Sequence, residues 1–253
     1  MNNLLRSPFV VFAISFVALC IAARIGAALR KPGALAEEAR RDLDITITAA
    51  LTLLGLIIGF SFSMAVTRYD QRKIYEEDEA NAIGTEYLRA ELLGAAEGAR
   101  VRTLLRDYID QRVLFYTTQD ENELQQIAAH TGQLETQLWS AAQVPPAVQA
   151  TPVVALAVSG MNDVLNSQGY TQAAWWNRIP TAAWALMVAI AVCSNLLVGY
   201  DARRPKMGLQ LLVLPLILSI ALFLIADIDS PRRGLIHVHP QNLTSLAQSL
   251  GGR

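Results

Sequence analysis

The sequence predicts an all-α, polytopic membrane protein, and three observations support this prediction. Hydrophobic residues make up 53% of the 253-residue chain and charged residues only 17%, whereas a soluble domain has about 25% charged residues. Four segments are long and apolar enough to cross the roughly 30 Å of hydrocarbon in a bilayer. Between them, apolar residues recur at helical spacing, and no segment has the period-2 alternation of a strand.

The four predicted transmembrane helices form two hairpins. They lie at residues 8–29, 45–67, 180–200 and 207–228. The first hairpin comprises residues 1–67, and the second comprises residues 180–228. Segment 68–179 lies between the hairpins, and residues 229–253 form the C-terminal tail. Four spans place both termini and segment 68–179 on one side of the membrane. Basic residues are nearly balanced between that side and the two short loops, so the positive-inside rule does not orient the chain.

Segment 68–179 is predicted to be a soluble region of four helices. Apolar residues at helical spacing place the helices at about 68–93, 99–117, 120–143 and 152–168. Pro145 and Pro146 are expected to interrupt the chain between the last two helices. Trp175 and Trp176 precede the third span and are expected at the membrane interface, where tryptophan is enriched.

The second span is predicted to continue into the soluble region without a break. Neither Pro nor Gly occurs between Phe60 and Ile83, although the sequence changes there from apolar to densely charged. One helix from about residue 45 to 93 would be roughly 70 Å long, more than twice the hydrocarbon thickness. Such a helix would couple a membrane-embedded wall to a soluble domain.

The residue types do not indicate an enzyme, a metal site, a cofactor or a nucleic-acid ligand. The three histidines form no ligand motif, and no phosphate-binding or nucleophile motif is found. The acidic run 76–79 projects its carboxylates in different directions from a helix, which indicates a solvated or ion-paired face. A net charge of −1 does not indicate nucleic-acid binding. Both cysteines lie in apolar runs, and no disulfide is expected.

Two sets of residues resemble a bacterial family labelled bestrophin-like, whose activity the label does not establish. The first set follows the second span and comprises Arg68, Arg72, Glu79, Asn81, Ala82, Ile83, Gly84, Tyr87, Leu88 and Arg89. The second set follows the last span and comprises Asp227, Asp229, Pro231, Arg232, Arg233 and Gly234. The resemblance covers most of the chain.

A more distant resemblance reaches the bestrophin anion channels, through the Gly-Phe at 59–60 and the Val-Thr-Arg-Tyr at 66–69. It implies that the second span lines a pore with a constriction at Thr52, Leu56 and Phe60, although Thr52 departs from the large apolar residue expected there. Because residues four apart share a helix face, Ser63 and Thr67 would line a wider vestibule. The basic "DIDSPRRG" segment has no counterpart to an acidic calcium clasp, so calcium gating is not implied.

The same resemblance implies a homo-oligomer, with a pentamer favoured, in the lipid bilayer of a bacterial inner membrane. It places the termini and segment 68–179 in the cytoplasm and makes inorganic anions the expected partners. Arg68 and Arg72 would form basic rings or ion pairs near the exit of the second span. Their candidate partners and further basic residues are Asp227, Asp229, Arg232 and Arg233.

Two other functions fit the same residues. A non-conducting membrane scaffold or sensor would bind a partner protein through the helical region 68–179. A small transporter would use Arg24 and Asn195, which lie inside predicted spans, as polar groups on a substrate path. Conduction by the purified protein in a planar bilayer separates a channel from a scaffold.

Overall fold

All regular structure in the described part of the chain is helical. A computed structural model describes residues 7–30, 37–148, 151–202 and 210–251. Its helices are α1 Pro8–Leu29, α2 Glu37–Arg89, α3 Ala95–Thr117, α4 Glu121–Val148, α5 Pro152–Trp176, α6 Thr181–Asp201, α7 Gln210–Asp229 and α8 Gln241–Gly251. A short 3-10 helix, Ala90–Leu93, follows α2.

Four stretches of helix are long and apolar enough to cross a membrane. They lie within Pro8–Leu29, Glu37–Leu93, Pro152–Asp201 and Leu211–Asp229. The protein is therefore an all-α membrane protein with four transmembrane helices and a helical region between the second and third, as predicted. Helix α1 coincides with the predicted span, and α6 begins and ends one residue later than predicted.

Some predictions concern residues outside the described part of the chain. The predicted start of the fourth span, residues 207–209, is one of them, and α7 is described from Gln210. Five basic residues used in weighing the membrane orientation also lie outside it, namely Arg6, Lys31, Arg203, Arg204 and Lys206. The orientation therefore stays a prediction.

Helix α2 is unbroken from Glu37 to Arg89 and has 53 residues. At 1.5 Å per residue its length is about 80 Å. The predicted continuation of the second span into the soluble region without a break is confirmed. The α-helix ends before the predicted residue 93, because the 3-10 helix follows it and Gly94 then adopts φ 92°, a conformation that favours glycine.

The chain divides into two compact units. The membrane unit comprises residues 1–68 and 178–237, and the helical unit comprises residues 69–177 and 238–253. The first part of α2 belongs to the membrane unit with α1, α6 and α7. The second part of α2 belongs to the helical unit with α3, α4, α5 and α8.

The membrane unit has a small apolar core and one very close helix contact. Leu19, Leu54, Ala191 and Leu218 bring α1, α2, α6 and α7 together. Helices α1 and α6 meet backbone to backbone: a Cβ added to Gly26 would overlap the carbonyl oxygen of Leu196. A Cβ added to Gly199 would likewise overlap the carbonyl oxygen of Ala23. Small residues permit such close approach between transmembrane helices.

The helical unit has a larger core, to which α2, α3, α4, α5 and α8 all contribute. Trp175 is 5% exposed and packs against Phe115 and Tyr116, with ring centroids 5.0 and 5.4 Å apart. The ring of Trp175 thus completes an aromatic cluster inside this unit, and its position at the membrane interface stays a prediction. Trp176 is exposed.

Two helices of the helical unit are longer than predicted. Helix α4 runs through Pro145 and Pro146 and ends at Val148. The prolines remove two intrahelical N–H donors, but the helix ends soon after them, so the loss is confined to its last turns. Helix α5 continues to Trp176, because Ser167, Thr171 and Trp175 extend its buried face at intervals of four residues.

Candidate pore-lining face and its polar neighbours

Within the membrane unit, α2 has one buried face. Leu54, Ser61 and Ala65 are at most 4% exposed, and Ile58 packs against the apolar core. At about 100° per residue these four positions occupy a sector of roughly 60° around the helix axis. The remainder of the helix surface in this unit has no equally buried face.

The predicted constriction and vestibule residues lie on the opposite side of α2. Thr52, Leu56, Phe60, Ser63 and Thr67 fall within about 80°, centred roughly 170° from the buried face. Leu56 is 54% exposed and Phe60 is 64% exposed, and the other three are exposed as well. These side chains share one face and are largely exposed in the single chain.

The hydroxyl groups on this candidate pore face are bonded within the helix. Thr52 Oγ1 donates to the Thr48 carbonyl oxygen at 2.8 Å, and Thr67 Oγ1 donates to the Ser63 carbonyl oxygen at 3.0 Å. Nearby, a Cβ added to Gly55 or Gly59 would meet no atom within 4 Å. The face is therefore open in the single chain and presents both apolar and hydroxyl groups.

Arg68 and Asp229 are brought together in the membrane unit. Arg68 Nη1 lies 3.5 Å from Asp229 Oδ1, and both side chains are largely buried. The Asp229 carboxylate also accepts a hydrogen bond from the backbone N–H of Ile179 at 3.1 Å. The pair thus joins the end of α7 to α2 and to the residues that precede α6.

Arg72 is buried in the helical unit and does not fit the predicted basic ring. It is 1% exposed, and its guanidinium donates to the carbonyl oxygens of Ala174 at 3.2 Å and Asn177 at 3.3 Å. These carbonyls lie at the C-terminal end of α5, where a positive charge is favourable. Arg68 and Arg72 both lie on the buried side of α2, away from the candidate pore face, so their contacts within the chain favour the ion-pair alternative over basic rings.

Asp227 holds the loop that follows α7. It is 1% exposed, and its two carboxylate oxygens accept the backbone N–H groups of Leu235 at 2.8 Å and Ile236 at 2.9 Å. A Cβ at Gly234 would collide with this carboxylate. Arg232 and Arg233 lie half-buried in the same loop. This family motif therefore builds a tight turn around one aspartate.

Glu79, another residue of the family motif, is the centre of a buried polar network in the helical unit. Glu79 and Arg112 are at most 1% exposed, and Arg112 Nε donates to Glu79 Oε1. Glu79 Oε2 accepts hydrogen bonds from Thr171 at 3.0 Å and Tyr116 at 3.4 Å. Burial, and next the Glu79 charge, raise the pKa of Tyr116, so this phenol stays a neutral donor. The network joins α2, α3 and α5.

The other motif residues of α2 have separate surroundings in the helical unit. Tyr87 accepts a hydrogen bond from Arg106, which also lies over its ring. A Cβ at Gly84 would lie 3.2 Å from the side chain of Leu246 in α8. Asn81 is exposed, and Arg89 is half-buried.

The acidic run 76–79 splits between two buried acids, Glu76 and Glu79, and two exposed ones, so only part of it is the solvated face that was expected. Glu76 accepts hydrogen bonds from Leu243 N at 2.9 Å and from Asn242 Nδ2 at 2.7 Å, which caps the start of α8. Glu77 and Asp78 are exposed. Among the residues that the structure describes, no three histidine, cysteine or acidic side chains form a metal-binding group.

Sequence reasoning missed two buried charged residues, Arg112 and Glu86. Arg112 lies 33 residues from Glu79 along the chain. The sequence of α3 around it has the pattern of an ordinary amphipathic helix. Glu86 is 0% exposed and adjoins the motif residue Tyr87. The one sequence signal that could have identified them is their position: helical periodicity places each of these charged residues on the side of the helix that faces the core.

Comparisons with known proteins agree with this architecture. A family model described as the bestrophin-like domain matches residues 10–243. No curated protein matches the chain. A crystal structure of a bacterial bestrophin homologue from Klebsiella pneumoniae superposes with a TM-score of 0.65 at 11% sequence identity, over 95% of this chain and 96% of that chain.

Two point variants of the Klebsiella homologue have similar scores. One has a TM-score of 0.65 at 11% identity, over 94% of this chain and 96% of that chain. Another has a TM-score of 0.62 at 12% identity, over 99% of this chain and 96% of that chain. At such low identity the likeness concerns the fold. Because the family model spans nearly the whole chain, the protein belongs to the bestrophin-like family.

Proposed function

We propose that the protein is an ion channel of the bacterial inner membrane, built as a symmetric homo-oligomer with α2 lining the pore. The observation that supports this most is the exposed face of α2, with Leu56 54% and Phe60 64% exposed. Four transmembrane helices are too few to enclose a wide pore, so a ring of subunits is required. The family resemblance favours a pentamer with cytoplasmic termini.

The constriction would consist of rings of Thr52, Leu56 and Phe60, one from each subunit. Large apolar side chains cannot replace the hydration shell of an ion, so such a ring gates by dewetting. Ser63 and Thr67 would follow as a wetter vestibule. The bonding of Thr67 to a backbone carbonyl leaves its hydroxyl oxygen with acceptor capacity toward water.

The resemblance to bestrophins favours inorganic anions as the permeant ions. One observation favours cations as a second candidate. Arg72 is buried, whereas Asp70, Glu77 and Asp78 of α2 are exposed in the helical unit. Rings of acidic side chains are typical of cation-conducting pores. The experiment must therefore distinguish anion from cation conduction.

Purified protein in planar bilayers under a salt gradient tests both parts of the proposal. A current whose reversal potential follows the chloride gradient supports an anion channel, and one that follows the cation gradient supports the second candidate. In the latter case Asp78→Asn should move the reversal potential toward zero. Absence of any current from well-assembled protein would instead favour a scaffold or sensor.

Two phenylalanines of α2 provide a matched test of the pore face. Phe60 and Phe62 are both exposed, 64% and 40%, but they point about 160° apart around the helix. Phe60→Ala should widen the constriction and raise the conductance or open probability. Phe62→Ala should leave both unchanged. Equal effects of the two substitutions would contradict a pore lined by the Phe60 face.

A further inference from the structure

Glu86 is a carboxyl group buried without hydrogen-bond partners. It lies on α2 in the helical unit and is 0% exposed. In the described part of the chain, neither carboxylate oxygen has a hydrogen-bond partner. A buried carboxylate that is neither paired nor hydrogen-bonded is very unfavourable, and such a group binds a proton instead.

The carboxyl group lies against the backbone of α5 at Gly160. A Cβ at position 160 would collide with Glu86 Oε2 and would also lie 2.6 Å from Arg89 Nη1. Glu86 and Arg89 of α2 therefore use the space that glycine leaves on α5. Close packing leaves little room for a hydration shell around a charged carboxylate.

Two charged groups act on Glu86, one from each of these helices. Burial is the largest effect and raises the pKa of Glu86 to about 8. Arg89 on α2 lowers the pKa, and Asp163 on α5 raises it. The carboxyl group is consequently mostly neutral below about pH 8 and mostly ionised above it.

We propose that Glu86 is a proton-binding site whose neutral form keeps α2 and α5 packed at Gly160, and whose ionisation opens this contact. When the proton leaves to solvent, the negative charge needs water or a closer approach of Arg89. Either change requires the side chains that occupy the space at Gly160 to rearrange, which loosens the contact with the α5 backbone. The ligand of this site is the proton, and the inference does not depend on conduction by the protein.

The sign of the pH dependence follows from linkage. The ordinary carboxyl in the opened state has lost its proton above about pH 4.5, whereas the closed state keeps it up to about pH 8. Opening therefore releases a proton between these values. The equilibrium constant for local opening should rise about tenfold per pH unit in this window and level off above it.

Infrared titration of the full-length protein in detergent measures the proton directly. The wild type should show the carbonyl stretch of a protonated carboxylic acid at pH 7, and the band should disappear near pH 8. Glu86→Gln should lack the band, whereas Glu77→Gln, which changes an exposed acid of the same helix, should keep it. Asp163→Asn should lower the midpoint, because it removes a repelling charge. A wild type without this band would overturn the proposal.

Hydrogen exchange measures whether the proton controls the contact. After correction for intrinsic exchange, the opening constant of α5 around Gly160 should rise about 50-fold from pH 6 to pH 8 in the wild type. It should be nearly constant in Glu86→Gln and should follow the wild type in Glu77→Gln. The same pH dependence in wild type and Glu86→Gln would show that Glu86 does not control the contact. If Glu86→Gln does not fold, a lowered midpoint in Asp163→Asn supports the proposal and an unchanged midpoint contradicts it.

Discussion

The membrane unit and the helical unit are held together by different kinds of contact. In the membrane unit, α1 and α6 meet through Gly26 and Gly199, whose backbones touch the opposite helix. In the helical unit, α2, α3 and α5 meet around Glu79 and Arg112, both almost fully buried. A single substitution should therefore destabilise each unit, but in different ways: added volume at the glycine contact of the membrane unit, and loss of a charged partner in the helical unit.

The two surroundings explain this difference. Lipid tails are as apolar as leucine, so transmembrane helices gain little by burying apolar side chains and associate through close packing. In water, burying a large apolar core is favourable, and that core can enclose a charged pair whose hydrogen bonds are satisfied. The helical unit has such a core, whereas the membrane unit buries only a few apolar side chains.

Breaking the buried pair should have the largest effect on stability. Arg112→Met leaves Glu79 as a buried charge whose remaining donors among the described residues are Tyr116 and Thr171. Removing one partner of a buried pair typically costs about 3–5 kcal/mol. Thermal unfolding of the purified protein should detect this loss as a large drop in midpoint temperature.

The control for the buried pair is an exposed pair in the same unit. Arg102 Nη1 lies 2.9 Å from Glu91 Oε1, and the Glu91 side chain is 70% exposed. Arg102→Met should cost at most about 1 kcal/mol, as surface ion pairs do. A similar midpoint for the two variants would show that the Glu79 network does not stabilise the helical unit.

Filling the close helix contact should have a smaller effect than breaking the buried pair. Gly199→Ala adds a Cβ that overlaps the Ala23 carbonyl oxygen, and a backbone atom cannot turn away as a side chain can. Overpacking of this kind costs about 1–3 kcal/mol. Gly55→Ala is the matched control in the same unit, because the added Cβ there meets no atom within 4 Å. Equal thermal midpoints for the two variants would place α1 and α6 further apart than described.

Much of the architecture followed from local features of the sequence. Long apolar runs identified the transmembrane helices, because hydrocarbon requires about 20 apolar residues per span. The absence of Pro and Gly after Phe60 indicated that α2 continues into the charged segment. The break predicted at Pro145 and Pro146 is wrong, because α4 continues through both prolines to Val148, so the N–H donors that they lack affect only its last turns.

The polar contacts could not be predicted in the same way. Glu79 is bonded to Arg112, 33 residues away, and to Thr171, 92 residues away. Spacing within one helix contains no information about such partners, so Glu79 was recognised only as a motif residue. For Arg68 and Arg72, spacing along one helix left basic rings and ion pairs both open. The contact of Arg68 with Asp229 is one of the ion pairs that the two family motifs suggested. Helical spacing did place Leu56 and Phe60 on one face, because that property depends on α2 alone.

The smallest effect on stability should come from the candidate pore face, and two leucines of α2 provide the comparison. Leu54 is 1% exposed in the membrane core, and Leu56 is 54% exposed. Leu54→Ala should leave a cavity and cost about 2–5 kcal/mol. Leu56→Ala, alone or with Phe60→Ala, should change the thermal midpoint little, because these side chains have few contacts in their own chain. If the face lines a pore, the double variant should still assemble and carry larger currents. If the face instead packs against a neighbouring subunit, size-exclusion chromatography should show a smaller assembly, and the pore assignment of Leu56 and Phe60 would be wrong.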